Sequence, residues 1–409
     1  MNVGIGYCND RDAFGAGHSA ATEAARKGGM TKPDLALVFC SGQLDPDEYV
    51  KGVKEVIGDT PIVGGSALGI ITNDELSYKG APSGVALLQS EQIKFQIVSA
   101  DQLDVDTVAA GQNLAEQLVK SATDRLLLMF YDSVKTPASA TSPPQMNASP
   151  ALIAGIESVL SSAFPIIGAG VVADFQFSNT HQFCGDSIGQ QSVVGALLSG
   201  DIHVYSSVIH GCSPIDGRYY QITKMDGANL YELDGKPIVD IIDELYGNQD
   251  WRNQFPLKLL TIGVNNAEKF QQNQQDESNY VNRLITGMLP DASGIGLFEP
   301  DLKEGMEIQF MLRDGNLMIE SARDNSERLL KQIVAEGKTP VFGLYINCAG
   351  RSAEYSNTES EEAAEIQTTM NKYSVPLLGF YSGVEVAPIY GRNRGLDWTG
   401  VLMILAEDT

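Results

Sequence analysis

The stretch FPIIGAGVVAD at residues 164–174 contains proline, two apolar residues and glycine in succession. This pattern occurs twice more in the chain, and its recurrence predicts the architecture. The other copies are TPIVGGSALG at 60–69 and VPLLGFYSGVEVAP at 375–388. An apolar run precedes each copy, at residues 34–42, 124–133 and 339–350. A further apolar run follows each copy, at residues 83–91, 191–201 and 398–408. Recurrence of this kind predicts that one supersecondary unit is built three times.

The segments that connect the first two runs of each copy are predicted to be helices. In DPDEYVKGVKEVI, Asp45 is the expected N-cap and Pro46 the first helical residue. Ser149 and Pro150 are expected in the same roles in SPALIAGIESVLSSA. The third segment, SEEAAEIQTTMNKY, has the acidic start that a helix dipole favours. Apolar runs joined by helices predict strand–helix–strand units in mixed, partly parallel sheets, which is an α/β fold.

The placement of the copies predicts two domains. Two copies lie in the first half of the chain and one in the second, so we expect residues 1–222 to hold two units. Residues 223–409 are expected to hold the third unit and an insertion. Two polar stretches, 133–150 and 270–279, are predicted to be long surface loops.

Composition excludes several classes of function. The net charge of −24 over 409 residues argues against a general affinity for nucleic acid or for an anionic membrane. The five cysteines are scattered without a C-x-x-C pair, which fits a reducing compartment and argues against a thiolate zinc site. The N-terminus shows no signal peptide, and no apolar run approaches the ~20 residues that span a bilayer. We therefore expect a cytoplasmic protein without membrane insertion.

Cys348, in VFGLYINCAGRS, stands at the end of an apolar run in the position of a catalytic nucleophile. A catalytic cysteine needs a neighbouring cation or histidine and a general base, yet no histidine follows His210. The chain also lacks the common hydrolase, metalloprotease, phosphate-loop and deaminase motifs. A buried structural thiol is the favoured interpretation, and no enzyme activity is expected.

Four motifs occur in an order that resembles the FIST proteins, which combine an N-terminal and a C-terminal FIST domain. They are Gly64-Gly65-Ser66, Gly211-Cys212-Ser213-Pro214 with YELDGKP after it, Cys348-Ala-Gly-Arg351, and GFYSGVEVAP with Glu385. The resemblance implies an intracellular sensory protein that binds a small ligand, such as an amino acid. It also implies signal transduction through a separate partner, a histidine kinase of a two-component system or a cyclic-di-GMP enzyme. Some stand-alone members are haem-binding nitric oxide sensors, which makes haem a candidate cofactor.

Arg351 and Glu385 are the expected ligand-binding pair. Each follows the end of an apolar strand of the third copy, and in a right-handed unit both strand ends lie at one sheet edge. An arginine would bind the carboxylate of an amino acid and a glutamate its ammonium group. We expect Gly64, Gly65, Ser66 and Tyr381 beside them, with glycine N–H groups close to the ligand. The alternative is that Arg351 and Glu385 only pair with each other.

A haem sensor would need an axial ligand, and the chain has four histidines, His18, His181, His203 and His210. His210 is the first choice as haem and metal ligand, because it ends a strand directly before the Gly211-Cys212 motif. His181, in a polar turn, is the second choice. The alternative for His210 is an imidazole that is hydrogen-bonded at a strand end.

Overall fold

The computed structural model describes residues 1–137, 144–266 and 277–409. The first repeat unit contains six strands and two helices. In chain order they are β1 (Asn2–Asn9), α1 (Ala13–Gly28), β2 (Leu35–Cys40), α2 (Pro46–Ile57), β3 (Ile62–Ser66), β4 (Ile70–Thr72), β5 (Leu76–Ser77) and β6 (Pro82–Gln89).

The second unit has the same plan with one additional hairpin. Its elements are β7 (Ile93–Ala100), α3 (Thr107–Glu116), β8 (Asp124–Asp132), β9 (Val134–Thr136), β10 (Gln145–Met146), α4 (Ser149–Val159), β11 (Ile166–Val171), β12 (Gln182–Cys184), β13 (Ser187–Gly189) and β14 (Val193–Gly200). Residues 138–143 of the predicted loop 133–150 lie outside the described residues.

The third unit begins with β15 (His203–Ile209) and is then interrupted by an insertion. The insertion consists of β16 (Cys212–Pro214), β17 (Tyr220–Asp226), β18 (Asn229–Leu233), β19 (Lys236–Pro237), α5 (Ile238–Tyr246), β20 (Leu260–Asn265), β21 (Tyr280–Arg283), β22 (Ile285–Met288), β23 (Ile295–Leu297) and β24 (Glu307–Arg313). The unit resumes with α6 (Gly315–Ala335), β25 (Lys338–Cys348), α7 (Ala353–Ser356), α8 (Ala363–Lys372), β26 (Leu377–Ser382), β27 (Val384–Ile389), β28 (Arg392–Leu396) and β29 (Gly400–Asp408). Short 3-10 turns lie at Asp250–Asn253, Glu277–Asn279 and Ala349–Arg351. Most of the predicted loop 270–279 lies outside the described residues.

The predicted α/β fold with mixed sheets is confirmed. In each unit the two strands of the repeat are parallel neighbours, β2 with β3, β8 with β11, and β25 with β26. The following run of each unit, β6, β14 or β29, pairs antiparallel with the first of these strands. In the third unit the connection is a 3-10 turn and two helices rather than the single helix expected, because the chain turns at Ala349–Arg351 before α8 begins.

Each repeat unit contributes a two-stranded hairpin to the six-stranded sheet of another unit. The three contributions form a closed cycle among the three sheets. Sheet 1 has the order β1-β6-β2-β3-β12-β13, so it receives β12–β13 from the second unit. Sheet 2, β7-β14-β8-β11-β27-β28, receives β27–β28 from the third unit. Sheet 3, β15-β29-β25-β26-β4-β5, receives β4–β5 from the first unit. A separate nine-stranded sheet is formed by the insertion. The predicted boundary between residues 222 and 223 stays a prediction.

The glycine of each Pro-x-x-Gly motif is required by the approach of the two parallel strands. A Cβ at Gly64 would lie 1.8 Å from the Val38 carbonyl oxygen, and one at Gly168 would lie 1.8 Å from that of Met129. At Gly379 the corresponding distance, to the Tyr345 oxygen, is 2.6 Å. The motif is therefore a packing signature of the strand pair.

The inner faces of the three sheets form one common core. Phe39 of sheet 1 stacks on Phe380 of sheet 3 with ring centres 4.0 Å apart, and Phe130 of sheet 2 meets both rings edge-on. Helices cover the outer faces, α1 and α2 on sheet 1, α3 and α4 on sheet 2, and α6 and α8 on sheet 3. Among the helices of the described ranges, none combines the length and apolar character that crossing a membrane requires.

The predicted N-cap residue is correct for helix α2 but not for helix α4. Asp45 caps α2 by accepting a hydrogen bond from the Glu48 amide, as predicted. The cap of α4 is Ala148, so the prediction of Ser149 as the cap was wrong. Ser149 is instead the first helical residue, and its side chain is buried.

Candidate functional site

The carboxyl ends of β25 and β26 meet at one corner of sheet 3. Their last paired residues are Cys348 and Ser382. After β25 the chain enters the 3-10 turn that contains Arg351. After β26 it enters β27, the strand that contains Glu385. Both side chains are fully buried. We call this region the corner.

Arg351 forms an ion pair with Glu362, not with Glu385. Its Nη2 lies 3.0 Å from Glu362 Oε2, and both side chains are 0% exposed. Burial alone would lower the pKa of Arg351, but the Glu362 carboxylate outweighs this effect and the pKa is raised. Further hydrogen bonds run from Nη1 to the carbonyl oxygens of His210 (3.0 Å) and Trp398 (3.1 Å), and from Nε to Asn347 Oδ1 (3.1 Å). The guanidinium thus connects the end of β15, the end of β25 and the turn before β29.

Glu385 is a buried acid whose second oxygen is unpaired. Its Oε1 accepts a hydrogen bond of 2.7 Å from the Ser382 hydroxyl, whereas Oε2 has no partner among the described residues. Burial raises the pKa of Glu385 well above its usual value, and the nearby Asp397 carboxylate raises it further. These effects favour the protonated acid.

Several other buried polar atoms around the corner lack a hydrogen-bond partner within the described ranges. The donors are Asn347 Nδ2 and Trp398 Nε1, and the acceptors include Glu385 Oε2 and Asp397 Oδ1. A buried polar atom without a partner destabilises the fold by about 1–3 kcal/mol, so such a group of atoms indicates a missing water or ligand. Sequence reasoning missed Asn347, Glu362, Asp397 and Trp398.

A second group of buried acids continues from Asp397. Burial raises the pKa of Glu299 to about 8 and that of Asp397 to about 6. The Tyr131 and Ser149 hydroxyls in this group are also buried, and the Ser149 hydroxyl lies near both Tyr131 and Glu299. The nearby Arg283 is already bound to Asp301, with Nε 2.6 Å from Oδ1. Burial in this region therefore favours the protonated forms of the two acids.

The glycine motif lies inside sheet 1. Gly64, Gly65 and Ser66 belong to β3, between β2 and β12, so their backbone takes part in the sheet. Ser66 exchanges hydrogen bonds with His181, from the Ser66 amide to the His181 oxygen (2.8 Å) and from the His181 amide to Ser66 Oγ (3.0 Å). The backbone contacts of this motif serve strand pairing, and its role in binding stays a prediction.

Tyr381 is closer to the corner. Its buried hydroxyl donates to Glu361 Oε2 at 3.0 Å, and Glu361 precedes the Glu362 that holds Arg351. Tyr78, from the first unit, donates to the other oxygen of Glu361 at 2.7 Å. Adjacent glutamates thus connect Tyr381 and Arg351 within one network.

The contacts of His210 do not fit haem ligation. Its Nδ1 accepts a 2.9 Å hydrogen bond from the Cys212 amide, which places the imidazole proton on Nε2. Nε2 lies 2.7 Å from the Glu277 carbonyl oxygen, to which it donates, and the residue is 1% exposed. Both ring nitrogens are therefore engaged, which matches the alternative of an imidazole hydrogen-bonded at a strand end.

His181 also has surroundings that are unsuited to a porphyrin. Its Nε2 lies 2.9 Å from Gln190 Nε2. Burial lowers the pKa of His181, while Asp47 and Asp45 oppose this shift. A porphyrin needs a broad apolar cavity, whereas this half-buried ring lies beside acidic side chains.

The Cys348 thiol is buried and is not activated. Burial raises the pKa of Cys348, and Glu385 raises it further. Cys40 is likewise buried, and burial raises the pKa of Cys212 to about 11. A nucleophilic cysteine needs the opposite shift, so these thiols are structural.

We expect Cys348, Cys40 and Cys212 to resist alkylation by iodoacetamide in the folded protein. Cys8 and Cys184 are partly exposed and should react first. Peptide mass spectrometry after timed labelling measures the order, with urea-unfolded protein as the control in which all five react. Labelling of Cys348 before Cys8 would contradict the assignment.

Comparison with known proteins gives two family matches. The model of the FIST N domain matches residues 34–236, and the model of the FIST C domain matches residues 239–388. Together they span most of the chain.

Similar full-length proteins occur in mycobacteria. An uncharacterized protein of Mycobacterium tuberculosis is 24% identical over 413 residues, and the match covers 100% of both chains. An uncharacterized protein of Mycobacterium bovis is 24% identical over 415 residues with the same coverage.

Two solved structures show weak overall similarity. A chorismatase crystal structure covers 99% of both chains at 9% identity with a TM-score of 0.35. The PurLQS structure from Thermotoga maritima matches at 8% identity, covering 99% of this chain and 72% of the other, with a TM-score of 0.22. TM-scores this low carry no conclusion about function.

Proposed function

Because this chain belongs to the FIST family, we propose that it is a cytoplasmic sensory protein that binds a small zwitterionic ligand and reports to a separate signalling protein. FIST domains are a sensory family that binds small ligands. The proposed ligand class is a free amino acid. The proposed partner is a histidine kinase or a cyclic-di-GMP enzyme.

One observation carries the ligand proposal, the set of unpaired buried atoms at the corner. Asn347 Nδ2 and Trp398 Nε1 are unpaired donors that suit a carboxylate, whereas Arg351 Nη2 already faces Glu362. Glu385 Oε2 and Asp397 Oδ1 are acceptors, and they suit an ammonium group. Unpaired donors and unpaired acceptors within one buried corner match the two ends of an amino acid.

Entry to the corner requires a local opening, since Arg351 and Glu385 are both 0% exposed. We assign this opening to α7, because each of its four residues is at least partly exposed. It directly follows the 3-10 turn that holds Arg351. Displacement of α7 on binding would give the protein a second conformation for a partner to recognise.

Binding without turnover is the proposed activity. The buried cysteines have raised pKa values and lack the lowered pKa that a thiolate nucleophile needs. A haem-based nitric oxide sensor is the weaker candidate, because the nitrogens of His210 are already engaged.

We expect one or more free amino acids to raise the melting temperature of the wild type, with a shift that grows with the logarithm of concentration. Glu385→Gln should fold as stably as the wild type, because burial already favours the neutral acid at this position. It should nevertheless lose the shift, since an amide cannot ionise to face an ammonium group. Differential scanning fluorimetry with the common amino acids measures both effects.

Proton release provides an independent check of the same site. Binding of an ammonium group should ionise Glu385, so calorimetry in buffers of different ionisation enthalpy should show a proton leaving the protein. Glu359→Gln makes the same chemical change at an exposed position and should respond like the wild type. The proposal fails if no amino acid stabilises the wild type, or if Glu385→Gln responds equally.

A further inference from the structure

Strand β15 is the edge strand of sheet 3. It pairs with β29 from His203 opposite Ala406 to Ile209 opposite Gly400. On its other side no strand of the described chain pairs with it. Five of its seven residues are partly exposed. Edge strands of this kind carry hydrogen-bonding groups that can pair with another chain.

Two cavities lie along this strand and share Ser206, and together we call them the groove. The first, of about 410 Å³, is lined by residues between Asp201 and Ser206, and the second, of about 500 Å³, by Ser206–Val208. Arg125 and Pro165 form the wall of the first cavity. The second lies between α6, which contributes residues such as Arg328 and Leu329, and the β27–β28 turn with Pro388 and Tyr390. Walls on both sides of the strand favour one extended chain over a second whole domain as the occupant.

Each cavity contains one arginine although the protein as a whole is acidic, and the first cavity also contains Asp201. Arg125 and Arg328 are exposed, one in each cavity, in a chain with a net charge of −24. Arg125 donates to the Gly200 carbonyl oxygen at 3.1 Å, and Arg328 donates to Asn325. Neither arginine forms an ion pair with a carboxylate in the described ranges. They are therefore free to receive acidic side chains.

We propose that β15 binds an extended peptide segment of a partner protein by strand addition. The segment carries apolar side chains at alternate positions, which enter the groove beside Val204, Val208 and Leu329. An acidic residue at each end faces Arg125 or Arg328. Seven residues of extended chain span about 20 Å, the length of β15.

The same strand leads directly to the proposed ligand site. Residue 210 follows β15, and its carbonyl oxygen accepts the 3.0 Å hydrogen bond from Arg351 Nη1. A ligand that moves Arg351 therefore acts on the end of the peptide-binding strand. The inference rests on the proposed function only for this link, because peptide binding itself requires no small ligand.

The test uses random heptapeptides displayed on phage and selected on the purified full chain. Selected peptides are expected to have acidic ends and alternating apolar residues. Synthetic fluorescent copies give dissociation constants by anisotropy. Arg125→Glu and Arg328→Glu should each weaken binding at least ~10-fold, because each reversal replaces an attraction to an acidic end of the peptide by a repulsion. Arg323→Glu, at an exposed position on the same helix, should bind as the wild type does.

Two further experiments test separately whether binding uses the charge pairs and whether it uses backbone hydrogen bonds. Peptides with lysine ends should bind the Arg125→Glu/Arg328→Glu double variant better than the wild type. N-methylation of alternate peptide amides should abolish binding, because strand addition uses backbone hydrogen bonds. The proposal is overturned if selection yields no acid-ended peptides, or if the reversed variants or methylated peptides bind unchanged. Self-association of the wild type that Arg125→Glu removes would also overturn it in favour of a second copy. Amino-acid binding measured separately would survive either failure.

Discussion

Replacement of Gly64 by alanine is expected to destabilise the protein by more than about 4 kcal/mol, the range reserved for severe core disruption. The new Cβ would lie 1.8 Å from the Val38 carbonyl oxygen and 2.7 Å from its carbon. These are backbone atoms of the parallel strand paired with Gly64, so they cannot move away without breaking the sheet. Urea unfolding followed by circular dichroism measures the loss.

The three copies of the motif provide a series of glycine-to-alanine substitutions with different expected losses of stability. Gly168→Ala should be as damaging, since its Cβ would lie 1.8 Å from the Met129 oxygen, whereas Gly379→Ala, at 2.6 Å, should be milder. Gly217→Asn is the control, because that residue is exposed at a φ of 69° with nothing near its Cβ, and asparagine tolerates this conformation. Equal stability of Gly64→Ala and Gly217→Asn would refute the packing explanation of the motif.

Replacement of Arg351 by methionine is expected to destabilise the protein by about 3–5 kcal/mol, because it leaves Glu362 as a buried charge without a partner. Glu362 is 0% exposed, and its ion pair with Arg351 measures 3.0 Å. The double variant Arg351→Met/Glu362→Gln should recover part of the loss, since the uncompensated charge is gone. Melting temperatures and urea midpoints of the three proteins measure the difference.

The control for Arg351 is an exposed ion pair. Lys51 lies 3.3 Å from Glu48 with both side chains largely exposed, so Lys51→Met should change stability by less than about 1 kcal/mol. If Arg351→Met were as mild as Lys51→Met, the corner would not be held by the buried pair. Because Arg351 has this structural role, its variants lose stability and binding together, and Glu385→Gln isolates binding more cleanly.

The sequence allowed prediction of the repeated strand pairs and of the family. Both rest on local signals: apolar runs that lack alternation predict buried strands, and Pro-x-x-Gly marks the close strand pair. The FIST N and FIST C domains inferred from four short motifs are confirmed. Local pattern was sufficient here because each unit supplies its own parallel pair.

The hairpin exchange could not be predicted in the same way. Strands β4, β5, β12 and β13 are two or three residues long, which is too short to show a period. Their partners lie in other units, and no local pattern encodes such distant pairing.

The ion-pair partner of Arg351 could not be predicted from the sequence either. Glu362 and Glu385 are both acids of the third unit, and only the folded path of the chain places Glu362 against the guanidinium. The orientation of Ser149 towards Tyr131 and Glu299 is likewise a result of tertiary packing.

The exchanged hairpins prevent any one repeat unit from completing its own sheet. Sheet 1 is incomplete until β13, ending at Gly189, has left the ribosome. Sheet 2 waits for β28, which ends at Leu396, and sheet 3 for β29, which ends at Asp408. Domains normally fold one after another as they emerge, but here the early strands must wait for partners hundreds of residues later. Until those distant segments are made, the early strands have unpaired edges, which can pair with other chains.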